Sequence, residues 1–203
     1  MKTVVDAQSI VLNRSGVGRY TFNLLKAFAC LKKEEHKIIP FFFNFRRKFN
    51  EQDVWKRNPG NMVEPCEIRL IPGFILHQLW MRLPLFPLDL FTSNADVFHF
   101  PNYLMKPVSK GKIILTVHDM AFLRYPETLM KKNLRMLKQG FNKSLEKSDA
   151  IITVSEFSKN EFHYFYPLYK KPVYVTHNGI DEFLNLKFDS DLNEKICLKY
   201  KLP

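Results

Sequence analysis

Short apolar runs recur along the chain, and each has the length of a buried strand in a parallel sheet. The clearest is residues 112–119, where Ile, Leu, Thr and Val lead into a His-Asp pair. Strands buried on both faces are continuously apolar because neither face meets water. The pattern predicts strands at residues 3–10, 37–45, 68–71, 96–100, 112–119, 150–154 and 173–176.

Between these runs, apolar residues recur at three- and four-residue steps, which is the spacing of one helix face. A further helical segment starts at Gly73 and is broken by Pro84 and Pro87. Ser155 is a favourable N-cap for one of the helices. The other predicted helices lie near residues 17–31, 130–145, 156–166 and 191–200.

Strands that alternate with helices predict an α/β domain with a doubly wound, mostly parallel sheet and helices on both faces. Ligands of such sheets gather at the carboxyl ends of the strands. His118 and Asp119 follow one strand, and taken alone they fit an ordinary polar strand end. A cleft is favoured because further strands also end in polar or Gly-rich sequence, at Gly16–Gly18, Asn102, Ser155 and Asn178-Gly179.

A glycine-containing turn, residues 16–20, joins the first strand to its helix. Glycines let a ligand approach the backbone, and a helix N-terminus offers N–H groups to an anion. The turn therefore predicts either a phosphate-facing loop or a plain helix cap. A dinucleotide site is disfavoured, because Thr21 stands where GxGxxG needs its third glycine and no acidic strand end is placed for the ribose.

Composition narrows the class of partner. The 203 residues carry a net charge of +11, which predicts an anionic partner: nucleic acid, an acidic membrane face or a phosphorylated substrate. Nucleic acid is disfavoured because the chain has no helix-turn-helix or aromatic–basic RNA motif. Cys30, Cys66 and Cys197 lie far apart, which indicates a reducing cytosol. The sequence has no cluster of His and Asp residues that would indicate a metal site.

The most apolar segment, residues 74–91, is interrupted by polar residues and prolines, so it is not expected to span a membrane. No signal peptide is visible at the start of the chain. Much of the apolar segment is expected in the core. The rest is expected to form an exposed patch beside Arg46, Arg47 and Lys48, which would suit docking to an anionic bilayer.

Five motifs follow one another over nearly the whole chain: Gly16-Val17-Gly18-Arg19-Tyr20, His99-Phe100-Pro101-Asn102, Thr116-Val117-His118-Asp119, Ile152-Thr153-Val154-Ser155-Glu156-Phe157-Ser158 and Val175-Thr176-His177-Asn178-Gly179-Ile180-Asp181. In their order and spacing, these motifs resemble the N-terminal domain of GT-B-fold, GT4-type retaining glycosyltransferases. The resemblance implies a Rossmann-like acceptor-binding domain over residues 1–185 and an interdomain segment over residues 186–203.

The resemblance implies transfer of a hexose from a nucleotide-sugar, such as a GDP- or UDP-hexose, to a glycan or lipid-linked acceptor with retention of configuration. It implies no cofactor and no obligatory metal, because the leaving diphosphate is stabilised electrostatically. His118 would be the catalytic residue beside the transferred sugar. A loop of Gly16, Val17, Gly18 and Arg19 would face the donor phosphates. The acceptor cleft would be lined by Asn102, Tyr103, Asp119, Ser155 and Asn178.

The family's donor half carries a basic pair and two glutamates, and no residue after Asp181 matches them. We therefore expect the 203-residue chain alone to be inactive, with a donor-binding domain supplied in cis or by a separate chain. The alternative is a non-catalytic interaction subunit that complements a separate donor-binding chain. The expected location is cytoplasmic, with a peripheral position on the inner face of the membrane as a further expectation.

Overall fold

The computed structural model describes residues 1–12, 16–30, 35–45, 65–69, 71–82, 86–92, 94–180 and 190–201. A short 3-10 turn, Pro126–Thr128, precedes the longest helix. In chain order the other elements are β1 (Lys2–Asp6), α1 (Gln8–Leu12), α2 (Gly16–Ala29), β2 (Lys37–Phe43), β3 (Cys66–Ile68), α3 (Gly73–Arg82), α4 (Asp89–Thr92), β4 (Val97–Phe100), β5 (Lys112–Val117), α5 (Ala121–Arg124), α6 (Lys131–Lys147), β6 (Ala150–Thr153), α7 (Glu156–Phe165), β7 (Val173–Val175) and α8 (Ser190–Tyr200).

The seven strands form one parallel sheet in the order β3-β2-β1-β4-β5-β6-β7. From β1 the strand order continues to β2 and β3 on one side and to β4 and the later strands on the other. In open α/β sheets, ligands are expected beyond the carboxyl ends of the strands at such a switch point. Because all strands run the same way, their carboxyl ends meet at one edge. The predicted α/β fold with a doubly wound sheet is confirmed.

The sheet is covered on both faces. Val4 and Val5 of β1 belong to different core clusters, since successive side chains of a strand point to opposite faces. The larger cluster packs the Val4 face against α3, α6 and α7, through residues such as Trp80, Phe141 and Phe162. The smaller cluster packs the Val5 face against α2.

The predicted first strand, residues 3–10, is too long. β1 ends at Asp6, whose carboxylate accepts the N–H of Gln8 at 3.0 Å and starts α1. The helix α5 was not predicted and begins in the same way, because a carboxylate oxygen of Asp119 accepts the N–H of Ala121 at 2.9 Å. An aspartate side chain that bonds the backbone two residues on turns the chain out of the strand.

The third predicted strand, residues 68–71, is also wrong in its bounds. β3 covers Cys66–Ile68, where it pairs with Phe41–Phe43 of β2. Ile71 lies past the strand and packs against the core. The predicted basic residues Arg46–Lys48 lie outside the described residues. The remaining predicted strands and helices are found with ends shifted by a few residues at most.

Gly111, before β5, has no room for a side chain. Its φ is +102°, and a Cβ atom would lie 2.8 Å from the Ala95 carbonyl oxygen and 2.9 Å from the Phe98 ring. Gly111→Ala should therefore lower the free energy of unfolding by about 2–4 kcal/mol, from backbone strain and overpacking. Urea unfolding followed by circular dichroism measures it. Gly179→Ala is the control, since nothing lies within 4 Å of its Cβ position. Equal losses in both variants would contradict this account.

Candidate active site at the strand ends

His118 is the first residue after β5, and a backbone carbonyl holds its ring. Nε2 lies 2.8 Å from the carbonyl oxygen of Pro101, the first residue after β4. A carbonyl oxygen only accepts, so Nε2 carries a proton and the neutral ring keeps a lone pair on Nδ1. None of the residues that the structure describes donates a hydrogen bond to Nδ1. The ring can therefore accept a hydrogen bond from a ligand hydroxyl there.

Two tyrosine rings flank this imidazole. The ring of Tyr20, from α2, is perpendicular to it with 4.9 Å between centroids. The ring of Tyr103, from the turn after β4, lies 5.9 Å away at 62°. Burial lowers the pKa of His118 below its ordinary value, against the opposing effects of the Pro101 carbonyl and the Asp119 charge. The imidazole is therefore mainly neutral at pH 7.

Behind the imidazole, two polar side chains are buried in the sheet. Thr116 is fully buried on β5, and its Oγ1 lies 2.8 Å from Nε2 of His99 on β4 and 3.4 Å from the hydroxyl oxygen of Tyr20. Burial lowers the pKa of His99 to about 4; the nearby His118 adds to this effect and Asp6 opposes it. Buried polar groups destabilise a fold unless they are hydrogen-bonded, and these bond each other.

The turns after β4 and β5 form the predicted acceptor side. Asn102 and Asp119 are exposed there. Tyr103 has a φ of +53°, which is uncommon for a bulky residue, and its hydroxyl accepts the N–H of Asp119 at 3.1 Å. Burial raises the pKa of Tyr103 well above its ordinary value, and the Asp119 charge adds to that. Tyr103 thus ties the two turns together, while Asn102 and Asp119 present polar groups to solvent.

Ser155 caps α7, as predicted. Its Oγ accepts the N–H of Ser158 at 3.0 Å and donates to the Ser158 hydroxyl at 3.1 Å. The Ser158 hydroxyl in turn donates to the carbonyl oxygen of His118 at 2.8 Å. Further along, Arg124 of α5 donates to both carboxylate oxygens of Glu161 in α7, at 2.9 and 2.6 Å. These links hold the segment after β5 against α7.

The predicted phosphate-facing residues, Gly16 to Arg19, form the first turn of α2 and not a loop before it. Gly18 is buried, and the carbonyl oxygen of Val17 accepts the Thr21 hydroxyl at 2.9 Å. Gly16 and Arg19 line a groove of about 680 Å³. That groove runs between α2 and residues 176–180. Two of the four predicted residues therefore face open space beside the helix N-terminus.

The lining of this groove is basic. It includes Arg19 and Lys26 of α2 and His177 from the segment after β7, and no carboxylate is among its described lining residues. Asn178, predicted to line the cleft, lies in the same groove. Of the predicted residues, Gly16, Arg19 and Asn178 line this groove, whereas His118, Asp119, Asn102 and Tyr103 follow the ends of β4 and β5. Tyr20 connects the two places, because it lines the groove and contacts the His118 ring.

Sequence reasoning missed Tyr20, Thr116 and His99 as site residues. Tyr20 falls on the apolar face of α2, so its pattern indicates core packing. The available signal was a polar residue within the apolar run of each of two strands, Thr116 in β5 and His99 in β4. A polar side chain that is buried among apolar ones needs a hydrogen-bond partner, so it indicates a polar contact in the interior.

The described residues provide neither a metal-ligand cluster nor a membrane-spanning helix. No group of three or more His, Cys, Asp or Glu side chains comes together there as a set of metal ligands. None of the helices described is both long enough and apolar enough to cross a bilayer.

The burial of His99 predicts a pH dependence of stability. The unfolded chain binds a proton at His99 near pH 6.5, and the folded chain only near pH 4. Stability is therefore fully present above pH 6.5 and falls as the pH drops toward 4. Between about pH 7 and about pH 5.5, the free energy of unfolding should therefore fall by about 1 kcal/mol less in His99→Asn than in the wild-type chain. Urea unfolding at each pH measures this free energy. An unchanged pH dependence in His99→Asn, or an equal change in His177→Asn, would contradict the account.

Comparison with known proteins identifies a family for the chain. The family profile described as Glycosyltransferase Family 4 matches residues 14–182. The O-antigen chain mannosyltransferase B of Escherichia coli is 26% identical over 171 residues, which cover 79% of this chain. The aligned part is 42% of that relative's length, so the chain spans less than half of it. With the profile matched over more than half of its residues, the chain belongs to glycosyltransferase family 4.

Proposed function

We propose that this chain is the acceptor-binding half of a retaining glycosyltransferase that moves a hexose from a nucleotide-sugar to a glycan or lipid-linked acceptor. The observation that carries the proposal is the setting of His118. Its ring is neutral, bonded through Nε2 to the Pro101 carbonyl and placed at the carboxyl ends of the strands. The Nδ1 lone pair would accept a hydrogen bond from a sugar hydroxyl.

The donor phosphates would lie near the N-terminus of α2. The first turn of a helix favours an anion, because its N–H groups and dipole point that way. Gly16 leaves open space at that turn, and Arg19 would add a positive charge. Charge that develops on the leaving diphosphate would be stabilised electrostatically, with no obligatory metal. A donor-binding half, in cis or as a separate chain, would complete the site.

The transferred sugar is proposed to be mannose. This choice follows from the name of the similar protein, an O-antigen chain mannosyltransferase. By the same similarity, the acceptor would be a growing cell-envelope polysaccharide on a lipid carrier. The enzyme would then work in the cytoplasm at the inner face of the membrane. A non-catalytic subunit that complements a separate donor-binding chain is the alternative assignment.

His118→Ala should lower kcat for mannosyl transfer by about a hundredfold in the form that includes a donor-binding half, because it removes a hydrogen bond to the reacting sugar. Release of the nucleotide from GDP-mannose, with and without a lipid-linked acceptor, measures the rate. His36→Ala is the matched control, since His36 precedes β2 at the opposite edge of the sheet.

Two results would count against the proposal. An equal loss in His36→Ala would show that the effect is not local to the strand ends. Absence of any nucleotide-sugar-dependent transfer by the form with its donor half would favour the non-catalytic subunit.

The proposed membrane surface is built by exposed apolar side chains of α3 and of the segment through α4. Ile75 and Leu79 lie one turn apart on α3 and are 42% and 40% exposed. Phe86 and Leu90 are 56% and 66% exposed. The net charge of +11 would add attraction to an anionic bilayer. These residues form the membrane-docking surface of the proposal.

Leu90→Glu should weaken binding to vesicles rich in phosphatidylglycerol by about tenfold, because it removes an apolar contact with the bilayer and adds a negative charge that the anionic lipids repel. Co-sedimentation with those vesicles measures it. Leu168→Glu introduces the same charge at another exposed leucine, between α7 and β7, and should change binding far less. Equal weakening in both variants would point to net charge alone and contradict a dedicated apolar surface.

A further inference from the structure

Tyr20 makes two different contacts, one at each end of its side chain. The ring lies perpendicular to the His118 imidazole at 4.9 Å, and the hydroxyl lies 3.4 Å from Oγ1 of Thr116. The residue also lines the groove beside Gly16 and Arg19. It therefore both lines this groove and contacts the His118 ring.

The ring of His118 needs such a contact to hold one orientation. Its bond from Nε2 to the Pro101 carbonyl oxygen is a single hydrogen bond, and the χ2 torsion of a histidine is broad, so the ring keeps some freedom to tilt. A perpendicular aromatic neighbour removes this freedom and excludes water from one side of the ring. Tyr103, at 5.9 Å, supports it from the turn after β4.

The hydroxyl end of Tyr20 has an anchor that folding alone does not need. Thr116 and His99 are buried and bond each other at 2.8 Å. Apolar side chains of similar size would be buried there at lower cost. The polar pair instead gives the Tyr20 hydroxyl a fixed oxygen to bond, at the long end of hydrogen-bond range.

We propose that Tyr20 is a positioning residue for His118: through its ring contact and its anchor on Thr116, it holds the imidazole with Nε2 protonated and Nδ1 open to a sugar hydroxyl. The role of His118 in this proposal rests on the proposed function, whereas the contact between Tyr20 and His118 does not. Because Tyr20 belongs to the second turn of α2, an anion bound at the helix N-terminus is linked to the His118 ring through one side chain.

Among the described residues, titratable side chains lie near His118 on several elements. Tyr20 faces it from α2, Tyr103 from the turn after β4, and His99 from β4; Asp119 follows it in the chain. Of these, Asp119 carries a negative charge, which favours the protonated imidazole, whereas burial by the rings favours the neutral form. Loss of the Tyr20 ring should therefore move His118 toward easier protonation.

The test is two-bond ¹H–¹⁵N NMR of the histidine rings in the 203-residue chain, titrated with pH, with His118→Ala used to assign the signal. The wild-type ring should show a single neutral tautomer, with the proton on Nε2. In Tyr20→Leu the titration midpoint should rise toward the ordinary value of 6.5 and the two neutral tautomers should mix. Tyr20→Phe keeps the ring and should give a smaller change in the same direction.

The control is Tyr174→Leu, an exposed tyrosine on β7 that should leave the His118 signals unchanged. Unchanged His118 signals in a folded Tyr20→Leu variant would overturn the proposal. If that variant does not fold, Thr116→Val and Tyr20→Phe decide: unchanged His118 signals in both would overturn it.

Transfer assays separate this proposal from the proposed function. In the form with a donor-binding half, Tyr20→Phe should lower kcat by roughly tenfold and leave KM for the acceptor nearly unchanged, as expected for a misplaced catalytic group. An unchanged kcat in Tyr20→Phe, alongside a large loss in His118→Ala, would overturn the positioning role. Full activity in His118→Ala would instead overturn the proposed function, and the NMR result for Tyr20 would stand.

Discussion

The hydrogen bond between the His118 ring and the Pro101 carbonyl joins the ends of two neighbouring strands. β4 and β5 pair in parallel from Val97 to Phe100, so the residues that follow them emerge side by side at the carboxyl edge. A carbonyl there selects the proton position on the imidazole, because it accepts from Nε2 and leaves Nδ1 as an acceptor. Every role assigned to His118 depends on this bond.

The surroundings of His118 are more polar than folding requires. His99 and Thr116 are buried beneath it, Ser158 donates to its carbonyl, and Tyr103 bonds the next residue along the chain. These hydrogen bonds hold the side chains in place, but burying the polar groups costs desolvation free energy. This is typical of sites in which a fold holds reactive groups in one geometry.

Much of the fold could be predicted, since buried parallel strands and amphipathic helices leave local patterns. The ends of strands were harder. Asp6 and Asp119 each start a short helix, because their carboxylates bond the backbone two residues on. The contact between Tyr20 and Thr116 joins residues 96 positions apart, so no local pattern encodes it. The position of the candidate residues at the strand ends was therefore predictable, but the long-range contact of Tyr20 with Thr116 was not.

The claim that this half binds the acceptor is tested most directly by NMR titration of the 203-residue chain. Backbone amide signals would be followed during addition of a mannose-containing acceptor oligosaccharide and, separately, of GDP-mannose. Shifts from the oligosaccharide that concentrate at Asn102, His118 and Asp119 would agree with the account. Shifts at those residues from GDP-mannose only, with none from the oligosaccharide, would contradict it.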